Sequence, residues 1–153
     1  MSGLARSSAD TTSAGRYSAL RSTCHPDCVA CRDRCAGGLG LRFDLRADNA
    51  VVAQFFCAPE YQGYPDRLHG GIIATLLDAA MTHCLFARHC RGVTAKLSIR
   101  YRRPVLIEYE ATIWAMVVQE RGLLFELSAE IRQAGEVCAS ANGTFIGDIM
   151  GDD

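Results

Sequence analysis

Asp78 is the only formally charged residue between Gly70 and Ala87, in a run otherwise dominated by Ile, Leu, Ala, Met, Cys and Phe. An ionised carboxylate in apolar surroundings is costly, so one placed there is paired, protonated or kept for use. Two readings stay open: a structural bond to backbone or to Thr75, or a functional group, as perturbed buried carboxylates often are. Thr82 follows four residues later and shares a helical face with Asp78. His69-Gly70-Gly71 stands at the head of the same run, where a helix leaves N–H groups unpaired and its dipole favours negative charge. Glycine there lets a ligand approach the backbone closely. An N–H aimed at a carbonyl oxygen, with a carboxylate two turns along the helix, is equipment for attack on a thioester.

The elements that must hold these groups can be read from periodicity. Ile72, Ile73, Leu76, Leu77, Ala80, Met81, Cys84 and Leu85 recur at three- and four-residue spacing, and apolar residues fill most gaps. A helix apolar nearly all round is a buried helix; Arg88, His89 and Arg91 suit its C-terminal end and Gly92 a stop. Before it, residues 39–46 alternate as a strand and residues 50–56 return. After it, residues 93–102, 111–118, 123–132 and 137–146 read as strands, with Val93, Ala95, Leu97, Ile99 and Tyr101 on one face of the first and Thr94, Lys96, Ser98, Arg100 and Arg102 on the other. Residues 111–118 are apolar on both faces, as in a central strand covered on both sides. The expected class is α+β, an antiparallel sheet wrapped around one long buried central helix. The expected divisions are a disordered or loosely packed tail (1–22), a Cys-rich segment (23–38) and the folded domain (39–148).

At these residues the chain resembles the hotdog thioesterase superfamily, and within it the PaaI-like acyl-CoA thioesterases. Gln62-Gly63-Tyr64-Pro65, His69-Gly70-Gly71 and Leu77-Asp78 follow the family's Gly-x-x-His-Gly-Gly-x-x-x-x-Leu-x-Asp pattern, and Val93-Thr94 and Arg100-Tyr101-Arg102-Arg103-Pro104 its later one. Cys28-Val29-Ala30-Cys31 and Gly38-Leu39-Gly40-Leu41-Arg42-Phe43 resemble its N-terminal segment. The resemblance implies a hotdog fold and hydrolysis of an acyl-CoA to carboxylic acid and free CoA. It makes Asp78 the nucleophile or general base, gives the Gly70 N–H as oxyanion donor with Gly71 behind it, and has Thr82 position the water. His69 orders the loop. The family usually carries Asn or Gln six residues before that histidine; here Gly63 stands there and Gln62 one residue earlier. Leu77-Asp78-Ala79 replaces the Leu-Asp-Glu of many relatives. The resemblance also implies a homodimer or homotetramer with active sites between chains. Two other readings are a hotdog hydratase or dehydratase, and a non-catalytic acyl-CoA-binding regulatory protein.

Composition excludes several classes. A net charge of −1 supplies no field for nucleic acid, and no run approaches the ~18 uncharged apolar residues of a membrane span. Eight cysteines without an export-type leader suggest reduced thiols in a cytoplasmic protein. Cys24, Cys28, Cys31 and Cys35, with His25 adjacent, offer enough soft ligands for zinc, although their spacing is tighter than in usual zinc fingers. Reduced loop thiols or an adventitious disulfide are the plainer readings of them, and the expected chemistry requires no cofactor. Arg102 and Arg103, in a basic stretch with Lys96, Arg100, Arg88 and Arg91, read either as a solvated face or as contacts to CoA phosphates. Tyr101 and Trp114 are expected in the core or lining the acyl pocket.

Overall fold

A helix whose surface is apolar all round needs a sheath, and the sheet supplies it. The computed structural model describes residues 8–149. In chain order these form α1 (Ser8–Cys24), β1 (Asp44–Leu45), β2 (Val51–Phe56), α2 (Gly70–Ala87), β3 (Cys90–Tyr101), β4 (Glu110–Arg121), β5 (Leu124–Gln133) and β6 (Glu136–Ile149), with short 3-10 turns at Arg34–Ala36 and Pro59–Tyr61. The six strands make one antiparallel sheet in the order β1-β2-β4-β5-β6-β3. Five of them, β2 to β6, touch α2. The long helix in an antiparallel sheet is the hotdog arrangement expected from the sequence. By length and composition α2 would suffice to cross a membrane, but here 61% of it is buried.

Leu76, Leu77, Ala80, Met81 and Leu85 are buried on α2 and meet Ile113, Phe125, Leu127, Ile131 and Phe145 of the sheet in one cluster. The sheet comes this close because β6 carries glycine where it crosses the helix: a Cβ on Gly143 would lie 2.5 Å from Met81 Sδ and 2.8 Å from the Phe145 ring. The helix ends at the start of the expected Arg88–Gly92 stretch. Arg88 caps it, its N–H donating to Leu85 O, and His89 reverses the chain at φ 56°. Gly92 is instead inside β3, where a Cβ would lie 2.5 Å from Leu85 Cδ1; close packing, not a helix stop, is its reason.

Three further differences from the sequence reading matter. First, residues 39–46 yield only the two-residue β1, although Leu39, Leu41 and Phe43 are buried as their alternation implied. Second, the outer face of β4 is not covered within the chain: Thr112, Trp114 and Met116 are half-buried, opposite the buried Ala111, Ile113 and Ala115. Trp114 thus stands on the outside of the sheet beside Val52 and Glu130, not in the core. Third, part of the expected loose tail is the helix α1, docked on α2 through Tyr17, which is 8% exposed. The first seven residues of that tail lie outside the described residues.

Candidate active site

The loop before α2 is folded back on itself. Gly63 N donates to Arg67 O at 2.9 Å, His69 N to Tyr61 O at 2.9 Å, and Leu68 N to Val105 O at 2.8 Å. This brings His69 to the N-cap of α2 in an extended conformation, where its Nδ1 accepts from Gly71 N at 2.8 Å. An accepting Nδ1 puts the proton of the neutral ring on Nε2. Gly63 lies against that histidine, and a Cβ there would fall 3.3 Å from His69 Cα and Cδ2. The absence of a side chain at position 63 thus has a steric reason.

The Gly71 N–H, behind Gly70 in the expected arrangement, is occupied by His69. Gly70, first in the helix, has no intrahelical acceptor for its N–H. Its carbonyl accepts from Tyr101 Oη at 2.9 Å, which ties the end of β3 to the head of the helix. An open groove of about 740 Å³ runs past this point and brings together His69, Gly70, Tyr64, Tyr101 and the arginines Arg67, Arg102 and Arg103. Arg103 is paired with Glu136 at 2.7 Å, and Arg102 Nε reaches Ser140 Oγ at 3.4 Å. Gly63 lines the groove, whereas Gln62 does not. Arg67, which no motif singled out, does.

Asp78 is half-buried, not sealed in the core. Its Oδ1 accepts from Thr94 Oγ1 at 2.6 Å, and no arginine or lysine forms an ion pair with it among the described residues. Thr75 bonds to Gly71 O instead, at 2.9 Å, which removes the structural partner first considered. The buried Thr82 hydroxyl donates to the backbone carbonyl of Asp78 at 3.0 Å, so its proton is engaged one atom group away from the carboxylate.

Thr94 is the residue that sequence reasoning missed, and a bulge is why. On β3, Thr94 pairs with Phe145 and Lys96 with Thr144, so Ala95 has no partner. One extra residue reverses which side chains face the helix. Val93 is 67% exposed before it, while Leu97 and Ile99 pack on the core after it. Thr94 therefore joins Leu97, Ile99 and Tyr101 on the helix side, not Lys96 and Ser98 as strict alternation required.

A family model, the thioesterase superfamily, matches residues 66–140, from the loop ahead of α2 into β6. The matched region holds α2 and most of the sheet, just under half of the chain. The chain is similar to acyl-coenzyme A thioesterase THEM4 of Bos taurus, with 32% identity over 114 residues, 71% of this chain and 47% of that protein. The chain spans about half the length of the curated relatives it matches. Among solved structures, the E. coli PaaI protein from the phenylacetic acid degradation operon superposes with a TM-score of 0.73 at 18% identity, covering 90% of this chain and 95% of that one. A hypothetical thioesterase from Streptococcus pneumoniae TIGR4, solved with coenzyme A, gives 0.68 at 22% identity, covering 72% and 90%.

The thioesterase-superfamily region leaves the Cys-rich segment to one side, and the structure does not gather its four cysteines. Cys35 is exposed on the turn Arg34–Ala36, while Cys31 is buried and points at α2. There Cys31 Sγ lies 3.0 Å from Nε2 of His83, whose Nδ1 is 2.5 Å from Tyr17 Oη. Burial is the main cause that holds His83 down at about 3 and pushes the Cys31 thiol up to about 11. All eight cysteines are free thiols.

Proposed function

We propose that this chain hydrolyses an acyl-CoA thioester to the carboxylic acid and free CoA, with Asp78 as general base or nucleophile and the Gly70 N–H as the oxyanion donor. The observation that carries the reading is a half-buried carboxylate on the central helix of a chain matching the thioesterase superfamily, held by a hydroxyl and not by a cation. A neutral donor orients the carboxylate without cancelling its charge, which suits proton abstraction from water or direct attack on the thioester carbon. In the general-base route water gives a proton to Asp78 and adds to the thioester carbon. The tetrahedral intermediate collapses to the acid with loss of CoA thiolate, which takes up the proton. The covalent route forms a mixed anhydride at Asp78 with loss of CoA thiolate, and water then cleaves the anhydride.

Asp78 and Gly70 are eight residues apart on one helix, a separation of about 12 Å at ~1.5 Å per residue. Reacting atoms need to come within about 3–3.5 Å, so one chain does not serve both ends of one thioester. The reading therefore places the active site between two copies, Asp78 of one facing the His69–Gly70 turn of the other. The twelve-residue β3 forms one edge of the sheet and offers a surface for such pairing. In this reading the arginines of the groove, Arg67, Arg102 and Arg103, meet the CoA phosphates. The coenzyme A bound by the Streptococcus pneumoniae protein supports the ligand class.

A screen of thiol release over short, long and aromatic acyl-CoAs tests the activity, with Asp78→Asn as control. The variant is expected to keep its fold and oligomeric state while losing about 10²–10⁴-fold in turnover, the usual worth of a positioned acid–base group. Undiminished hydrolysis by that variant removes the assignment. Water addition to an enoyl-CoA without thiol release would instead establish the hydratase reading.

A further inference from the structure

His83 is fully buried, lies on the central helix, and plays no part in the thioester chemistry. Around it converge residues from three separate segments. His25 follows α1, Cys31 sits in the turn after it, and His83 comes from the middle of the core. The three ligand atoms of this group, a histidine nitrogen from each ring and Cys31 Sγ, all lie within 4.8 Å of one another. Cys31 Sγ is 3.0 Å from His83 Nε2 and 4.0 Å from His25 Nδ1. A tetrahedral zinc site, with Zn–S about 2.3 Å and Zn–N about 2.0–2.1 Å, spaces adjacent nitrogen and sulfur donors by roughly 3.5 Å. The two sulfur–nitrogen distances bracket that value.

The three-atom group leaves the fourth position of a tetrahedral ion to a further donor, and the turn brings one near. Cys31 N and Arg32 N both donate to Cys28 O, at 3.1 and 2.9 Å, a closed turn that brings the Cys28 thiol beside that of Cys31. Cys-x2-Cys turns of this kind wrap a single ion. Charge selects the four-donor set over the three-donor one. Arg21 and Arg42 both donate to the Cys31 carbonyl, Arg42 while paired with Asp33 at 2.7 Å, so Arg21 leaves the surroundings positive. One thiolate under a dication leaves a net positive site there; two thiolates and two neutral imidazoles bring it to zero, as burial demands.

The outer contacts are those of a ligated histidine. With Nε2 given to an ion, the proton of the ring lies on Nδ1 and would be donated to Tyr17 Oη at 2.5 Å, the kind of partner that fixes a ligand's tautomer and ring orientation. The Phe43 and Phe86 rings, 4.5 and 5.2 Å from the His83 ring by centroids, cover that histidine, while the His25 side of the site stays open.

We propose that Cys28, Cys31, His25 and His83 bind a single zinc-class ion that fastens α1 and the Cys-rich turn to the core helix. Binding replaces the two thiol protons, which leave to solvent, and no electrons move. The ion is structural: it sits behind α2, away from the groove. This set differs from the four cysteines by exchanging Cys24 and Cys35 for two histidines, one of them distant in sequence, so cysteine spacing could not reveal it.

The test uses the full chain freed of any purification tag, measured for metal content and then titrated with cobalt after stripping. The wild-type protein is expected to carry a single zinc per chain, and cobalt to give thiolate charge-transfer absorption with intense tetrahedral bands. Cys31→Ser abolishes that spectrum, and His25→Ala, at a half-buried position, weakens binding at least as strongly as loss of an outer partner. Tyr17→Phe, which removes only the outer partner, weakens affinity roughly 10–100-fold. Cys24→Ser and Cys35→Ser leave it unchanged. Cobalt that produces no sulfur charge-transfer band in the wild-type chain overturns the proposal without any variant having to fold. Metal kept in Cys31→Ser and lost in Cys35→Ser overturns it in favour of the cysteine set.

Discussion

A hydroxyl holds the Asp78 carboxylate where an arginine would have neutralised it. The contact is charge-assisted, a class worth about 1.5–3 kcal/mol, or roughly 10–150-fold. Thr94→Val is therefore expected to lower kcat of thioester hydrolysis by about that factor while KM moves little, and Thr94→Ser to restore most of it. Equal loss in the serine variant would show that the methyl packing, not the donor, matters. The thiols give a separate check on burial. Cys57 is fully buried, and burial, its main perturbation, pushes its thiol up to about 11, whereas Cys35 is exposed. Only thiolate reacts with an alkylating agent, and a raised thiol forms thiolate only as pH climbs toward the raised value. Mass spectrometry after alkylation near neutral pH should find Cys35 modified and Cys57 intact, with Cys57 labelling rising as the solution is made strongly alkaline.

Among the elements, β6 and β3 show how little slack the sheet has over α2. Gly143→Ala places a methyl 2.5 Å from Met81 Sδ; overpacking of this kind costs about 1–3 kcal/mol. A lower urea midpoint with an unchanged slope is the expected readout. The element boundaries that the sequence made legible are those set by burial on one or all sides. The apolar run starting at Gly70 is α2 from first residue to last, and the hairpin at Ala134-Gly135 has two positive φ angles, as a tight reversal demands. What stayed hidden has a physical cause in each case. A bulge leaves hydrophobic composition unchanged while reversing phase, so Thr94 was read onto the wrong face. Helix α1 has almost no apolar periodicity and is anchored mainly by Tyr17, so no pattern distinguished it from a tail.

At the scale of the whole molecule, the chain lays its N-terminal segment over one end of the central helix and leaves the other end open as the groove. Tyr17, Cys31 and Phe43 cover His83, which is 0% exposed. Tyr17→Ala is expected to destabilise the fold by about 3–5 kcal/mol, in the range for losing a buried aromatic side chain, with the groove residues left in place. A change in melting temperature without a change in acyl-CoA affinity checks this. Oligomeric state is the complementary test of the proposed two-copy site: equimolar mixing of Asp78→Asn with a chain disabled at the His69–Gly70 turn should recover activity in about a quarter of the possible sites, on the shared-site logic that one intact half comes from each copy. No recovery in exchanged mixtures would argue for a site within one chain.

The leftover Ala95 makes the polar partner of Asp78 depend on parity. Deleting that residue would leave the strand able to pair along its length, yet it would turn either the threonine or the stretch Leu97–Tyr101 away from the helix. Neither outcome is silent: the first unmoors the carboxylate, the second strips greasy cover from the core and releases the tether on Gly70. A length change that looks harmless on an edge strand is therefore forbidden just here, whereas the hairpin tips at Gly122 and Gly135 can absorb one.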